Sequence, residues 1–302
     1  MTREFVRATY RIETAFPLEQ AAAALAGEQS SGTFVRVHGE TDELRDKHLA
    51  RVERLTPLDE SPTPSLPGAA VPKGATSPVY RRAELVVAFP VENMGTNLPT
   101  LLATVTGNLF ELREFSGLKL LDLEFPDSYR VHPGPQFGIE GTRRLTGVAS
   151  GPVIGTIVKP SVGLTPEQTA ELVRTLAEAG IDFIKDDELQ ANGPHSPLED
   201  RVKAVMRVIN AHADRTGKKV MYAFNISDDV DAMRRHHDTV LAHGGTCVMC
   251  SLNHVGLAGV MKLRQYSQLP IHGHRNGWGM LTRSPALVIE LPAYQKVWRL
   301  AG

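Results

Sequence analysis

The sequence predicts a two-part α/β protein, with an N-terminal α+β domain over residues 1–135 and a barrel-type run of parallel βα units over residues 136–302. Two observations predict it. Strand and helix patterns mix irregularly in the first half, whereas from about residue 150 short apolar runs alternate regularly with segments of helical apolar spacing. The 302 residues, 42% of them hydrophobic, suffice for two cores.

In the first half FVRATYRIET, GTFVRVHG and YRRAELVVAFP read as strands, and PLEQAAAALAGEQS and NLPTLLATVTGN as helices. The tract from Thr56 to Pro78, rich in Pro, Ser and Gly, reads as an exposed loop. This mixture suggests helices laid against one face of an antiparallel sheet. Five βα units follow. Their strands are PVIGTIVKP, IDFIKDDE, KKVMYAFNIS, GTCVMCSLNHV and LPIHGHR. Between them, TPEQTAELVRTLAEAG, PLEDRVKAVMRVINAHADRTG, DDVDAMRRHHDTVLAHG and GLAGVMKLRQYS are helices, the second with Pro near its start and Gly after its end. In the closing SPALVIELPAYQKVWRLAG, Pro292 places the start of the last helix near itself rather than at Ser284.

Lys+Arg 33 against Asp+Glu 34 leaves a net charge of −1, which offers no broad field for nucleic acid or an acidic membrane. No run reaches membrane-spanning length, and the first sixteen residues carry charges inside their apolar stretch, unlike a signal peptide, so the cytoplasm is the expected location. Cys247 and Cys250 supply half of a zinc site at most. Their flanks read as a strand, where positions three apart face opposite sides, so two free buried thiols are expected.

In a parallel barrel, functional side chains gather at the C-terminal strand ends. Here those ends carry Lys159, then Lys185-Asp186-Asp187-Glu188, Asn225, Asn253-His254 and His272-Gly273-His274-Arg275. A solvated strand end explains any one of these, but not readily all five. Asp187 and Glu188 are hard oxygen donors of the kind Mg²⁺ takes, and a chain bending at the strand exit can turn both to one ion. Lys185, two residues before Asp187 and on the same face, becomes a third oxygen ligand if its amine combines with CO₂ as a carbamate. The plain alternative is a local Lys–Asp ion pair.

The stretches GTIVKPSVGLTPEQ, GIDFIKDDE and PIHGHR resemble successive barrel strands of the RuBisCO large subunit and its non-carboxylating relatives, the RuBisCO-like proteins. EQSSGTF and TGNLFEL resemble that family's N-terminal active-site loops, so the similarity runs in order along almost the whole chain. It implies a ferredoxin-like N-terminal domain and a (β/α)₈ TIM-type barrel, of which this sequence holds about five units. Lys185 would then be the carbamylated lysine, with Asp187 and Glu188 as the other Mg²⁺ ligands. Lys159 would transfer protons, His274 would act as an acid–base or orienting group, and Arg275 would contact phosphate. Glu28, Thr33 and Asn108 would reach the barrel of a partner subunit, which implies a homodimer.

Three departures from the family's carboxylases bear on the reaction. The carboxylases read K-P-K where this chain has Lys159-Pro160-Ser161, they carry a histidine where it has Trp278, and a tryptophan where it has Phe34. Loss of a cation and intrusion of a bulky ring argue against ribulose bisphosphate and CO₂ fixation. The resemblance implies Mg²⁺-dependent enolisation or decarboxylation of a phosphorylated sugar acid, nearest to decarboxylases of 3-oxo-isoapionate 4-phosphate. The competing readings are a methionine-salvage enolase or isomerase, an enolase-type Mg²⁺ barrel, and a truncated, non-catalytic metabolite-binding protein. Eight strands are expected of the family, so a cut from a longer product is the favoured explanation for five.

Overall fold

The computed structural model describes residues 3–32 and 38–302. In the first half, β1 (Phe5–Thr14) alternates, with Val6, Ala8, Tyr10 and Ile12 buried. Helix α1 (Leu18–Glu28) buries Leu18, Ala21, Ala22, Leu25 and Ala26, which a 3.6-residue turn gathers onto one stripe. Then come α2 (Asp42–His48), β2 (Arg51–Ser61), β3 (Tyr80–Pro90), α3 (Leu98–Val105) and β4 (Phe115–Glu124). The side chain of Asn97 caps α3 by accepting from Thr100 N at 2.9 Å. The buried Tyr10 hydroxyl ties α3 to the sheet by donating to the Val105 carbonyl at 2.7 Å.

One expectation changes here, and another lies beyond the described residues. The tract expected as a loop from Thr56 is strand up to Ser61, because the antiparallel ladder with β3 carries through Ser61↔Tyr80. The expected strand GTFVRVHG falls largely on residues 33–37, outside the described residues.

The second half opens with α4 (Gly138–Thr146) and alternates from there: β5 (Gly155–Ile157), α5 (Pro166–Glu178), β6 (Phe183–Lys185), α6 (Leu198–Thr216), β7 (Met221–Asn225), α7 (Val230–Ala242), β8 (Cys247–Ser251), α8 (Leu252–Tyr266, broken at Gly256) and β9 (Ile271–His274). Thr165 and Gln168 form a reciprocal capping box on α5, Asp229 caps α7, and Gly217 ends α6 at φ 76°. The five strands are parallel in the order β5-β6-β7-β8-β9, an α/β half-barrel. Met221, Ala223, Cys247 and Met249 form the core on one face, with Phe183 and Leu145 packed against them.

The closing segment folds as α9 (Trp278–Thr282), β10 (Leu287–Ile289) and α10 (Leu291–Ala301), the last starting next to Pro292 as expected. Strand β10 was not anticipated. It pairs in parallel with β4, so the first sheet runs β10-β4-β1-β3-β2, with four antiparallel strands and one parallel edge. Consequently one compact unit comprises the chain up to His132 together with Trp278–Leu300, and the other Pro133–Gly277 with the last two residues. A buried lysine holds the closing segment to β4. The Nζ of Lys119, on β4, donates to the Thr282 and Ser284 carbonyls (3.0 and 2.6 Å) and pairs with Glu290 at 2.9 Å. No described helix is long and apolar enough to cross a membrane.

Candidate active site at the edge of the parallel sheet

Strand register decides which polar side chains meet. Lys185 lies beside Ile157 on β5 and Ala223 on β7, and shares a face with Phe183 and the apolar core. Asp186 has the opposite parity and turns toward α6, while Asp187 returns to the Lys185 face. On β9, His272 pairs with Met249 and His274 with Ser251. The rings of His272 and Phe183 stand 5.3 Å apart, and those of His272 and His274 6.4 Å apart. A polar cluster therefore caps an apolar core at the C-terminal ends of β5, β6 and β9.

At the rim, exposed Lys159 pairs with buried Asp187. Lys159 Nζ lies 2.6 Å from Asp187 Oδ2 and donates to Ser161 Oγ at 2.8 Å. Burial alone would raise the Asp187 carboxyl. Hydrogen bonds from Lys159, the Leu189 amide and Ser161 outweigh it and hold Asp187 below the usual carboxylate range. Its hydrogen bond to Asp187 in turn raises Lys159, which stays an ammonium. Lys185 moves the other way. Burial lowers its amine, and Glu188 and Asp187 only partly oppose this. A desolvated lysine spends more time as the neutral amine, the form that attacks an electrophile such as CO₂. Glu188 Oε2 faces His274 Nε2 at 3.8 Å, and Arg275 is exposed at the exit of β9.

The second unit thus brings together five residues anticipated from the sequence: Lys159, Lys185, Asp187, Glu188 and His274. Of the anticipated partner-directed residues, Glu28 and Asn108 belong to the first unit. There Gln29, next to Glu28, accepts from the Asn108 amide at 2.9 Å and donates to the Ala103 carbonyl at 3.1 Å. Thr33 lies outside the described residues. Asn253 and His254, read as the end of a strand, instead sit in the first turn of α8, because β8 stops at Ser251. Asp186 and Asn225 are at their expected strand ends but fully buried, so neither is a rim ligand. Cys247 and Cys250 are free and buried, with thiols pushed up to about 12 chiefly by burial, and are inert near neutral pH.

His272 was passed over as a site residue. Burial, then the charges of Lys185 and His274, push its imidazole down to about 4. The folded protein therefore resists a proton that the unfolded chain accepts below about 6.5. This contribution to stability is whole above that pH and is lost as pH falls toward about 4. His272→Gln should flatten the acid side of the stability–pH curve over that window. Thermal melts at several pH values check this, and parallel curves for the two proteins would exclude it.

The family model for the ribulose bisphosphate carboxylase large chain, catalytic domain, matches residues 138–302, and that for its N-terminal domain matches residues 3–129. The chain belongs to the RuBisCO large-chain family. Within that family it is 58% identical over 300 residues to a 3-oxo-isoapionate-4-phosphate transcarboxylase/hydrolase of Xanthobacter autotrophicus, covering 99% of this chain and 71% of that protein. It is 47% identical over 296 residues to a 3-oxo-isoapionate-4-phosphate decarboxylase of Rhizobium etli, covering 97% and 70%. The crystal structure of a rubisco-like protein from Burkholderia fungorum superposes with a TM-score of 0.92 at 46% identity, over 99% of this chain and 71% of that one.

Among the described residues, no three His, Cys, Asp or Glu side chains form a ready-made metal cluster. The donor set still suits a hard divalent ion if Lys185 contributes an oxygen. A carbamate there would stand with Asp187 and Glu188 beside the Lys159 ammonium. Three anions less one cation leave a charge that a divalent ion balances.

Proposed function

We propose that this protein is a Mg²⁺-dependent carbon–carbon lyase of the RuBisCO-like type. Its substrate would be a phosphorylated branched keto-acid of the 3-oxo-isoapionate 4-phosphate class, and it would not fix CO₂. The observation that carries this reading is the depressed Lys185 amine beside Asp187 and Glu188, in a chain whose relatives bear those names. Carbamylated Lys185, Asp187 and Glu188 would hold the ion. When bound, Mg²⁺ supplies Lewis-acid stabilisation of the oxyanion beside the carbon that loses its carboxyl group.

The protein's own groups do the rest. Lys159, kept as an ammonium by Asp187, is charged to protonate the enolate carbon once CO₂ has left. His274 orients the enolate oxygen or exchanges its proton, and exposed Arg275 meets the phosphate. Ser161 fills the place of a second lysine. It hydrogen-bonds Lys159 and Asp187, so the site holds one cation fewer against the substrate. Glu28, Thr33 and Asn108 complete the site on a partner's barrel in a homodimer, within an eight-stranded barrel. A cytoplasmic location fits the phosphorylated substrate.

The relative with the higher identity favours a second reading, in which the carboxyl group moves to another atom of the same substrate as its old C–C bond breaks, and water then cleaves the rearranged acid. Incubating the native protein with Mg²⁺ and carboxyl-¹³C-labelled 3-oxo-isoapionate 4-phosphate separates the two. Label appearing at once as CO₂ means decarboxylation, and label appearing in a product acid distinct from the substrate means transcarboxylation. Loss of neither substrate nor label would refute both.

A further inference from the structure

The turn that follows β6 carries both carboxylates of the proposed ion site, and its backbone is held from beneath by two fully buried side chains. Asn225, at the end of β7, donates through Nδ2 to the carbonyls of Asp187 (3.2 Å) and Glu188 (3.1 Å). Arg201, on α6, donates through Nη2 to the carbonyls of Gln190 (3.2 Å) and Ala191 (2.6 Å). The two side chains are joined through Asp186. Its Oδ2 accepts from Arg201 (3.2 Å) and from the backbone amide of Asn225 (2.9 Å), while Oδ1 accepts from the Tyr222 hydroxyl at 2.5 Å.

The Asn225 amide has one possible orientation. Its Oδ1 accepts from Ser227 N (3.1 Å) and Ser227 Oγ (2.7 Å), which leaves Nδ2 for the two carbonyls. Ser227 Oγ is fixed in turn by accepting from the Ser251 amide of β8 at 2.9 Å. A chain of hydrogen bonds therefore runs from β8 through Ser227 and Asn225 to the peptide groups of the two proposed ligands.

We propose that Asn225, oriented by Ser227, is a positioning residue that sets the turn at Asp187 and Glu188 so that both carboxylates address one divalent cation. Neighbouring residues on an extended strand point to opposite faces, so two adjacent carboxylates reach one ion only if the chain is bent there and kept bent. One amide that grips both carbonyls does this directly. Its loss frees the turn without touching a ligand atom, and the effect expected for such outer partners is about 10–100-fold in metal affinity. The inference rests on the reading of Asp187 and Glu188 as metal ligands.

The test is Mn²⁺ uptake in bicarbonate-saturated buffer, so that Lys185 can carry its carbamate, read by electron paramagnetic resonance of the free ion, with thermal melts run alongside. Asn225→Ala and the milder Ser227→Ala are compared with His237→Ala. Buried His237 accepts from the Gln268 amide in the same unit and does not touch the turn. We expect at least about 10-fold weaker uptake in Asn225→Ala, a smaller loss in Ser227→Ala, and wild-type uptake in His237→Ala despite a lower melting temperature. Should Asn225→Ala fail to fold, Ser227→Ala alone decides. Uptake unchanged in the foldable turn variants overturns the proposal, as does a matching loss in His237→Ala, which would make the effect one of general stability. A wild-type protein with no saturable Mn²⁺ uptake removes the metal reading itself and the positioning role with it.

Discussion

Lys185→Met should remove the activity while leaving the fold in place, with turnover falling by at least about 10²–10³-fold. Methionine matches the lysine stem in length and packs well in a half-buried position. Among the described residues, the hydrogen bond sacrificed is a 3.2 Å contact from Lys185 Nζ to the Asp186 carbonyl. The melting temperature should therefore hardly move. What disappears is an amine whose burial lowers its pKa, and with it the proposed third anionic donor beside Asp187 and Glu188. Three measurements separate this role from a plain ion pair. Wild type should be activated by preincubation with CO₂ and Mg²⁺, show a carbamate carbon by ¹³C NMR, and lose both on substitution. A variant that keeps wild-type turnover, or a wild type indifferent to CO₂, would reduce Lys185 to a packing residue and leave the lyase reading without its metal site.

The parts of the fold legible in the sequence were those where one physical signal dominates. Thr165 with Gln168, Gly217 after α6 and apolar spacing along α5 to α8 mark helix ends and faces directly. The strand ends pointed to one polar rim, and the family resemblance singled out Lys159, Lys185, Asp187, Glu188 and His274 within it. Other features depended on pairing at a distance. Residues 56–61 carry Pro57 and acidic side chains and read as loop, yet β3 draws them into a ladder. Leu287–Ile289 is too short to announce itself and is strand only because β4 and the buried Lys119 hold it.

Within the site, parity was the missing step. Asp186, Asp187 and Glu188 look equivalent in the sequence, but alternation sends Asp186 to the helix side of the sheet. A clue to its partner was present in α6. Leu198, Val202 and Val205 mark an apolar stripe, and Arg201 falls on it where a hydrophobic residue is expected. A charge placed there must find a counter-charge or coordinate several carbonyls, and Arg201 does both.

That arginine leads to a large expected stability effect. Arg201 and Asp186 are both fully buried, paired at 3.2 Å, and the guanidinium also donates to the Ser196, Gln190 and Ala191 carbonyls. Arg201→Met should cost about 3–5 kcal/mol, because it strands a buried carboxylate whose remaining partners are neutral donors. The cost comes from the stranded charge more than from the lost attraction, so the double variant Asp186→Leu with Arg201→Met should recover part of it. Denaturant unfolding of the two singles and the double closes the cycle. Recovery would show that the pair is retained for the shape of the turn it governs rather than for stability, since an apolar replacement would then keep the core but leave the Gln190 and Ala191 carbonyls ungripped. If the double variant is as unstable as the sum of the singles, the carbonyl contacts carry the energy and the pair itself adds little.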